Sequence, residues 1–517
     1  MSLTLNLILG DQLNWDSLIW KDADKQHDLF WMAEVKQESS QIPSSKQRTT
    51  LFLSAMRHFA EDIKSKGYQL NYTTLSDEQA SFESALEATL KNNNVGRVRC
   101  VLAGDMTVVT RLESFFSQYN LSIEWLADQH FITRQGEFQQ WLNERKQPRM
   151  EHWYRHLRKD RQILMDDNQS PIGGQWNFDK DNRRSFNKKG PQLPSSTNRF
   201  KHDAITQHVI QDVETFCAEL PGSLDDFNWP VTRKQALQQL DAFIKYRLPS
   251  FGDYQDAMWT EQPFLFHACL SSSLNLKLLN PLEVINKAEQ AYYENNAPLN
   301  AVEGFIRQVL GWREYIRGLY WSYREHWLDY NALDHQRTLP SFYWHAETDM
   351  QCMHHSISQV LEHGYGHHIQ RLMVTGLFSL LWGVKPDAIH RWYLGMYVDA
   401  VAWVEIPNTI GMSQYADGGI VGSKPYIASG AYIDRMSNYC QHCAYKPKQA
   451  SGQDACPFTT LYWHFIDQNQ VWLAKNPRLG MQVRNWFNKA ETEQQHIRER
   501  ATWLFSHLDK DNRKEQA

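Results

Sequence analysis

The chain has 517 residues and a formal net charge of −5, long enough for two or three domains with their own cores and too acidic overall for a general polyanion binder. Its start, MSLTLNLILGDQ, carries no basic segment and no cleavage site, and no apolar run reaches transmembrane length, so a secretory signal and a membrane span are not expected and a cytoplasmic, reducing setting is. Twenty Trp stand out; most are expected as core fillers, which leaves a minority for a redox or stacking set.

Residues 1–130 alternate two periods. Residues 3–9 form a short apolar run ending at Gly10-Asp11, as a buried strand does, and residues 28–35 form a second. From 46 to 66, Phe52, Met56, Phe59 and Ile63 recur at helical spacing. Strand patterns follow at 68–75, 98–104 and 122–127, with helical patterns at 78–93 and 108–119. This alternation predicts an α/β domain built on a parallel sheet with helices on both faces. Ligands in such sheets sit at the carboxyl ends of strands, which makes Gly10-Asp11-Gln12 a candidate site. No GxGxxG is present, so a dinucleotide site is not indicated there.

Residues 131–202 change character. They are polar, basic and aromatic, broken by Pro148, Pro171, Pro191 and Pro194, and read as an interdomain connection with one helix over 153–165. Between 145 and 201 there are 14 Lys or Arg against 6 Asp or Glu, a local excess suited either to phosphates or to a solvated face. Residues 203–517 read as a mainly helical domain, with helices at 203–219, 233–247, 281–296, 300–322, 355–381 and 387–403, and a charged, fraying tail at 509–517.

The seven Cys divide unevenly. Cys440 and Cys443 make a C-x2-C pair, Cys456 follows with Pro457 directly after it, and Cys352 lies far upstream. Four thiolates suit tetrahedral zinc or a [4Fe–4S] cluster, and spacing leaves both open. Cys100, Cys217 and Cys269 lie in apolar or helical stretches and read as buried small residues. His354, His355, His363, His367 and His368 crowd together. His363 and His367 are spaced to share a helix face, but the Glu of an H-E-x-x-H zinc site is missing. His367-His368 opens an apolar helix, where packing, capping and proton transfer near neutral pH all stay open.

At this point longer motifs accumulate: ILGDQL (8–13), SAMRHFAE (54–61), GGQWNFDKDNR (173–183), FGDYQDAM (251–258), GWREYIRG (311–318) and GYGHHIQRLM (364–373). In this order, with the cysteine set, the sequence resembles the iron–sulfur bacterial branch of the photolyase/cryptochrome superfamily, the deoxyribodipyrimidine photolyase-related proteins that include prokaryotic (6-4) photolyases. The resemblance runs the whole chain. It implies a Rossmann-like antenna domain over 1–130, the connection over 131–202, and an all-α FAD-binding catalytic domain over 203–517.

The resemblance further implies site residues. A 6,7-dimethyl-8-ribityllumazine antenna would be placed by Gly10, Asp11, Gln12, Glu34 and Glu38. FAD would meet Tyr254, Asp256, Ser271, Ser272, Ser273, Leu274, Asn275, Arg313, Asp399 and Glu405, with an acidic group returning the proton that accompanies flavin redox change. Cys352, Cys440, Cys443 and Cys456 would ligate a [4Fe–4S] cluster, tying the helical domain to its carboxyl-terminal segment. His367, His368 and Tyr426 would face the lesion, where a histidine with an ordinary pKa near 6.5 suits proton delivery. Trp344, Trp392 and Tyr393 would pass electrons to the flavin. DNA phosphates would meet Arg155, Arg158, Arg183 and Arg184, with Asp179 as a lesion-side or Mg2+-binding group.

The function expected is light-dependent repair of (6-4) pyrimidine–pyrimidone photoproducts in UV-damaged DNA by a monomeric lyase. The main alternative is a blue-light-sensing cryptochrome of the same branch; a sensor has no lesion to protonate, so His367-His368 and Tyr426 favour repair. Repair of cyclobutane dimers and a zinc-stabilised nucleic-acid-binding protein without flavin are the others.

Overall fold

A computed structural model describes residues 2–193, 199–323 and 326–508, except the side chain of Ser39; Pro194 of the connection and the tail at 509–517 lie outside the described residues. Five strands, β1 (Leu3–Leu7), β2 (Asp28–Ala33), β3 (Gln69–Thr73), β4 (Val95–Val101) and β5 (Ile123–Leu126), form one parallel sheet in the order β3-β2-β1-β4-β5. Every residue of β2, sequence DLFWMA, is buried, as a strand covered on both faces requires. Phe59 and Ile63 of helix Lys46–Ser65 pack with Phe30 and Met32 on one face; Leu86 and Phe116 of helices Phe82–Asn92 and Met106–Ser117 pack with Leu5, Leu7 and Trp31 on the other. The second of these three helices begins four residues later than its pattern predicts, because Glu78 is in the left-handed region (φ 53°) and Ser81 supplies the cap, accepting from the Ser84 N–H.

The strand order turns back between β1 and β4. The chain therefore leaves the carboxyl ends of these neighbours in opposite directions, and a crevice opens between Gly10-Asp11 and Gly104-Asp105. A Cβ on Gly104 would lie 2.7 Å from Cδ1 of Trp403, so only glycine lets the helical region approach the sheet here.

Two predicted helices of that region are broken, and the breaks meet. The pattern over 355–381 resolves into Gln351–His363, His368–Gln370 and Gly376–Trp382, the last two joined by a π-helical turn at Arg371–Thr375. Gly364 ends the first helix at φ 61°, and a Cβ there would lie 2.6 Å from Cγ1 of Val398. The pattern over 387–403 resolves into Pro386–Met396 and Ala402–Ile406, with an interruption between them. The Val398 N–H donates to the Gly364 carbonyl at 2.9 Å and fastens one break to the other. Hydrophobic periodicity continues across both gaps, so it concealed them. As a result His363 and His367 do not share a helix face. The stretch over 300–322 likewise passes through a π-helical turn, Arg307–Arg313, between Leu299–Ile306 and Glu314–Ser322. Such turns carry Arg313 and Arg371 into the cavity described next.

Candidate functional site

A cavity of about 370 Å³ lies where the two helix breaks meet. Asp256, Ser271, Leu274, Asn275, Arg313, Asp399 and Glu405 line it, together with His367, His368 and Tyr393. Segments far apart in sequence thus bring one polar set to a common wall.

The short helix Ser271–Asn275 is held from behind. Arg313 donates to Oδ1 of Asn275 at 2.7 Å and to the Leu274 carbonyl at 3.4 Å, and Asn275 donates to the Asp399 carbonyl at 2.7 Å. Asp399 is gripped by both terminal nitrogens of Arg371, at 2.9 and 3.1 Å, and the same guanidinium lies 3.8 Å over the Tyr397 ring. Burial lowers the Arg313 pKa to about 10, against the pull of Glu314 and Asp128. Burial raises Asp256 to about 6, with Arg183 opposing. The hydroxyls of Ser272 and Ser273, Oε1 of Glu405, Nδ1 of His267 and both ring nitrogens of His367 are buried here without a hydrogen-bond partner. Such a concentration of unmatched polar atoms is costly in a dry core and suits a polar ligand. Tyr254 stands one layer back, stacked on Phe186 at 4.5 Å.

His367 and His368 differ. His367 is 6% exposed and stacks on His267 at 4.2 Å; burial, then His267 and His368, hold it well below its ordinary value. His368 presents its side chain to the open cavity, and enclosure together with Arg371 brings it to about 4. Because cavity water still reaches it, the enclosure acts in full only when a ligand fills the space. The ordinary value near 6.5, expected from composition alone, therefore does not hold for either ring.

Several buried histidines also make an acid-stability prediction. Burial holds His267 at about 4 and His130 at about 3. Both folded values lie below the unfolded 6.5, so this contribution is complete above pH 6.5 and is lost as pH falls toward 4. At pH 5 the two together cost about 4 kcal/mol. His390, whose pKa is raised, works the other way and loses its contribution only as pH rises. Thermal unfolding should come several degrees lower at pH 5 than at pH 7; equal midpoints would show that these rings take up protons without unfolding.

Aromatic residues lead away from the cavity. The Tyr393 ring in the wall lies 5.5 Å from Trp392, which is 1% exposed. Trp392 donates to the Tyr343 carbonyl at 3.0 Å and its ring lies 5.2 Å from that of Tyr343; the next residue, Trp344, is 40% exposed.

Around the crevice at the end of β1, the five expected antenna residues separate. Asp11 is raised by burial, with Lys277 opposing, and Glu38 is raised by burial beside Arg111, 3.3 Å away. Arg48, held down to about 10 by burial, faces both acids and was not anticipated. Gly10 has Met56 close behind it, 3.1 Å from where a Cβ would sit. Gln12 is buried and spent on backbone, accepting from the Leu9 N–H at 3.3 Å and donating to the Val101 carbonyl at 3.0 Å. Glu34 is likewise spent: Arg57 donates to both its oxygens at 2.7 Å, with Tyr72 at 2.5 Å and the Leu75 N–H at 2.8 Å. The side chains of both are held by the framework beneath the crevice.

The expected DNA residues are corrected similarly. Arg158 is 0% exposed and donates to the carbonyls of Ile163, Leu164 and Trp176, so it shapes the connection and cannot reach a phosphate. Arg155 is half-buried and Arg184 exposed, and both are paired, with Glu151 at 2.6 Å and Asp253 at 3.0 Å. Asp179 is paired with Arg307. Arg183 is exposed and faces Asp256. Tyr426 stands beyond the cavity wall, facing Arg478 and Asp179, and burial raises its hydroxyl.

Cys352, Cys440, Cys443 and Cys456 converge on a separate small cavity, 352 from helix Gln351–His363 and the others from the carboxyl-terminal segment. Cys352 is raised far above an ordinary thiol by burial and then by Cys456, Cys440 and Cys443. Cys100, Cys217 and Cys269 are buried elsewhere. No described helix is long and apolar enough to cross a membrane.

A family model described as deoxyribodipyrimidine photo-lyase-related protein matches residues 6–229. A (6-4) photolyase of Agrobacterium fabrum is 42% identical over 507 residues, 98% of this chain and 99% of that protein. An uncharacterized mimivirus protein, R855, is 33% identical over 97 residues, 19% of this chain and 72% of its own. Among solved structures, a bacterial class III photolyase from Agrobacterium tumefaciens superposes with a TM-score of 0.56 at 13% identity, over 99% of this chain and 98% of that one. A Synechocystis cryptochrome superposes with a TM-score of 0.54 at 13% identity, over 96% and 93%. At that identity these structures show a shared fold and no more.

Proposed function

The chain belongs to the bacterial branch of the photolyase/cryptochrome family, and from that membership we propose that it repairs (6-4) photoproducts of UV-damaged DNA in a light-dependent reaction. The observation that carries this reading is the single cavity lined by Ser271, Asn275, Glu405 and His368. It supports reading a flavin-side set and a proton donor for the lesion within one cavity.

The flavin is FAD, and when bound and reduced it supplies the light-driven electron. The chain's own residues do the rest. Ser271, Ser272 and Ser273 offer hydroxyls and N–H groups to the pyrophosphate. Arg313 and Asn275 fix that turn, and Asn275 ties it to the Arg371–Asp399 pair. Buried hydroxyls and ring nitrogens without partners fit such an occupant. His368, open to the cavity, delivers a proton to the lesion, and His367 orients it from a stacked, dry position. The lesion has to leave the base stack to enter, at a cost of a few kcal/mol. Arg183 is the retained phosphate contact from the connection, with Tyr426 at the lesion side.

The four thiols ligate a [4Fe–4S] cluster. Four cysteines gathered from two distant parts of the chain into one pocket support such a centre. A ribityllumazine antenna would be held by Gly10, Asp11 and Glu38, with Arg48 facing both acids. The protein works as a monomer. A yellow-brown protein with flavin and broad iron–sulfur absorption is expected; a colourless one supports the zinc reading.

Trp392, Tyr393 and Trp344 refill the flavin with electrons. Trp392→Phe should slow photoreduction by at least about tenfold, since an indole that passes electrons is replaced by a ring far harder to oxidise, and leave repair by chemically reduced protein unchanged. Wild-type photoreduction in this variant would remove Trp392 from the path.

A further inference from the structure

Glu405 has a buried partner that none of the roles above uses. One carboxylate oxygen, Oε1, lies in the cavity wall without a protein hydrogen bond. The other, Oε2, accepts a hydrogen bond from Nδ1 of His390, on helix Pro386–Met396. The side chains are only 4% and 5% exposed. A lone carboxylate at this depth would be strongly disfavoured; a charged imidazole against it makes the pair neutral. Burial pulls His390 toward its neutral form. Glu405 from helix Ala402–Ile406, Asp387 from its own helix and Asp105 from the end of β4 outweigh that pull, and its pKa is raised. These three carboxylates are the titratable groups that face the ring.

We propose that His390 is the positioning residue for Glu405, and that the pair rather than Glu405 alone hands a proton to the flavin cavity and takes it back. The Nδ1 proton passes to the carboxylate, the carboxyl O–H turns to the cavity and is given up, and His390 is left neutral. One N–H bond is broken and one bond to the acceptor is made, so the pair goes from zero charge to minus one, and the return step restores it. No electron is drawn from the pair. The geometry suits this because His390 touches the cavity only through Glu405, and its other neighbours are acids that favour refilling. A purely structural bridge between Pro386–Met396 and Ala402–Ile406 would need the hydrogen bond but not the charge.

This inference rests on the flavin reading, and the test separates the two. FAD-loaded full-length wild type, His390→Asn and Glu405→Gln are compared for FAD content and melting temperature. Each is then reduced by one electron, and proton uptake by the flavin is read from its visible absorption between about pH 6 and about pH 9. Asn keeps a donor for Glu405 but carries no charge. The expected result is that in His390→Asn the pH at which uptake fails drops by at least about one unit, a tenfold loss of proton affinity, with FAD content unchanged. Glu405→Gln should lose the uptake altogether. An unshifted profile in a fully loaded His390→Asn overturns the inference. Should that variant fail to fold, histidine-labelled wild type is titrated by NMR. A His390 resonance still charged above pH 7 supports the pair, and a neutral one overturns it. A wild type that takes up no FAD instead defeats the functional reading.

Discussion

His368→Ala should lower light-dependent repair by about 10²–10⁴-fold while FAD content and DNA affinity stay at wild-type levels. The size is that of a general acid removed from a step that has to move a proton. Moving the lesion's hydroxyl between bases needs that proton, and His368 is the titratable group that opens into the cavity from the break after Gly364. Its low pKa shapes the outcome. At about 4, reached once the cavity is filled, roughly one ring in a thousand is charged at pH 7. The phosphates of the lesion and the electron it accepts add negative charge beside the ring and raise that share when it matters. Alanine removes little packing, since the side chain is open to the cavity. His367→Ala differs: it removes the ring stacked on His267, and losses of FAD and of repair should fall together. The check is repair by chemically reduced variants under blue light, with FAD content and binding of lesion-bearing duplex measured on the same samples. Repair unchanged in His368→Ala removes it from proton transfer.

Cys352→Ser should abolish iron–sulfur absorption and expose the carboxyl-terminal segment to protease. Metal ligation of this kind contributes on the order of 10 kcal/mol to the folding of what it ties. Here it joins helix Gln351–His363 to a segment that begins almost ninety residues later, and that same helix ends at the break beneath the cavity. Cys352, Cys440 and Cys456 are raised by burial and by neighbouring thiols, so an empty site carries protonated, poorly solvated groups. Loss of the cluster with an unchanged melting temperature and protease pattern would make it a redox centre rather than a tie.

Much of this was legible in the sequence where pattern and chemistry coincide. The β2 run DLFWMA reads as a doubly covered strand, and Gly10-Asp11 as the end of a strand at a crevice. Ser271, Asp399 and Glu405, expected from the resemblance of the whole chain, do line one cavity. The sequence was silent where tertiary contact decides. Periodicity runs straight through Gly364 and Tyr397, and only the contact between Gly364 and Val398 turns two helices into four. Arg158 looks like a phosphate ligand because its charge is visible and its burial is not. Glu34 and Gln12 sit at the right strand ends, but their hydrogen bonds go to Arg57, Tyr72 and backbone. Arg371 lay inside a recognised motif without being singled out, and its partner Asp399 is 28 residues away. His390 and Arg48 have no local signal at all, since each is defined by a carboxylate distant in sequence.

The measurement that bears most directly on the central claim is repair of a short oligonucleotide carrying one defined (6-4) lesion, in blue light and in the dark, with the absorption spectrum taken on the same protein. The account predicts restored bases only in light, from protein that shows flavin and iron–sulfur bands, and no repair of a cyclobutane dimer in the same sequence. The same bands without repair in light would contradict it and leave the chain a sensor.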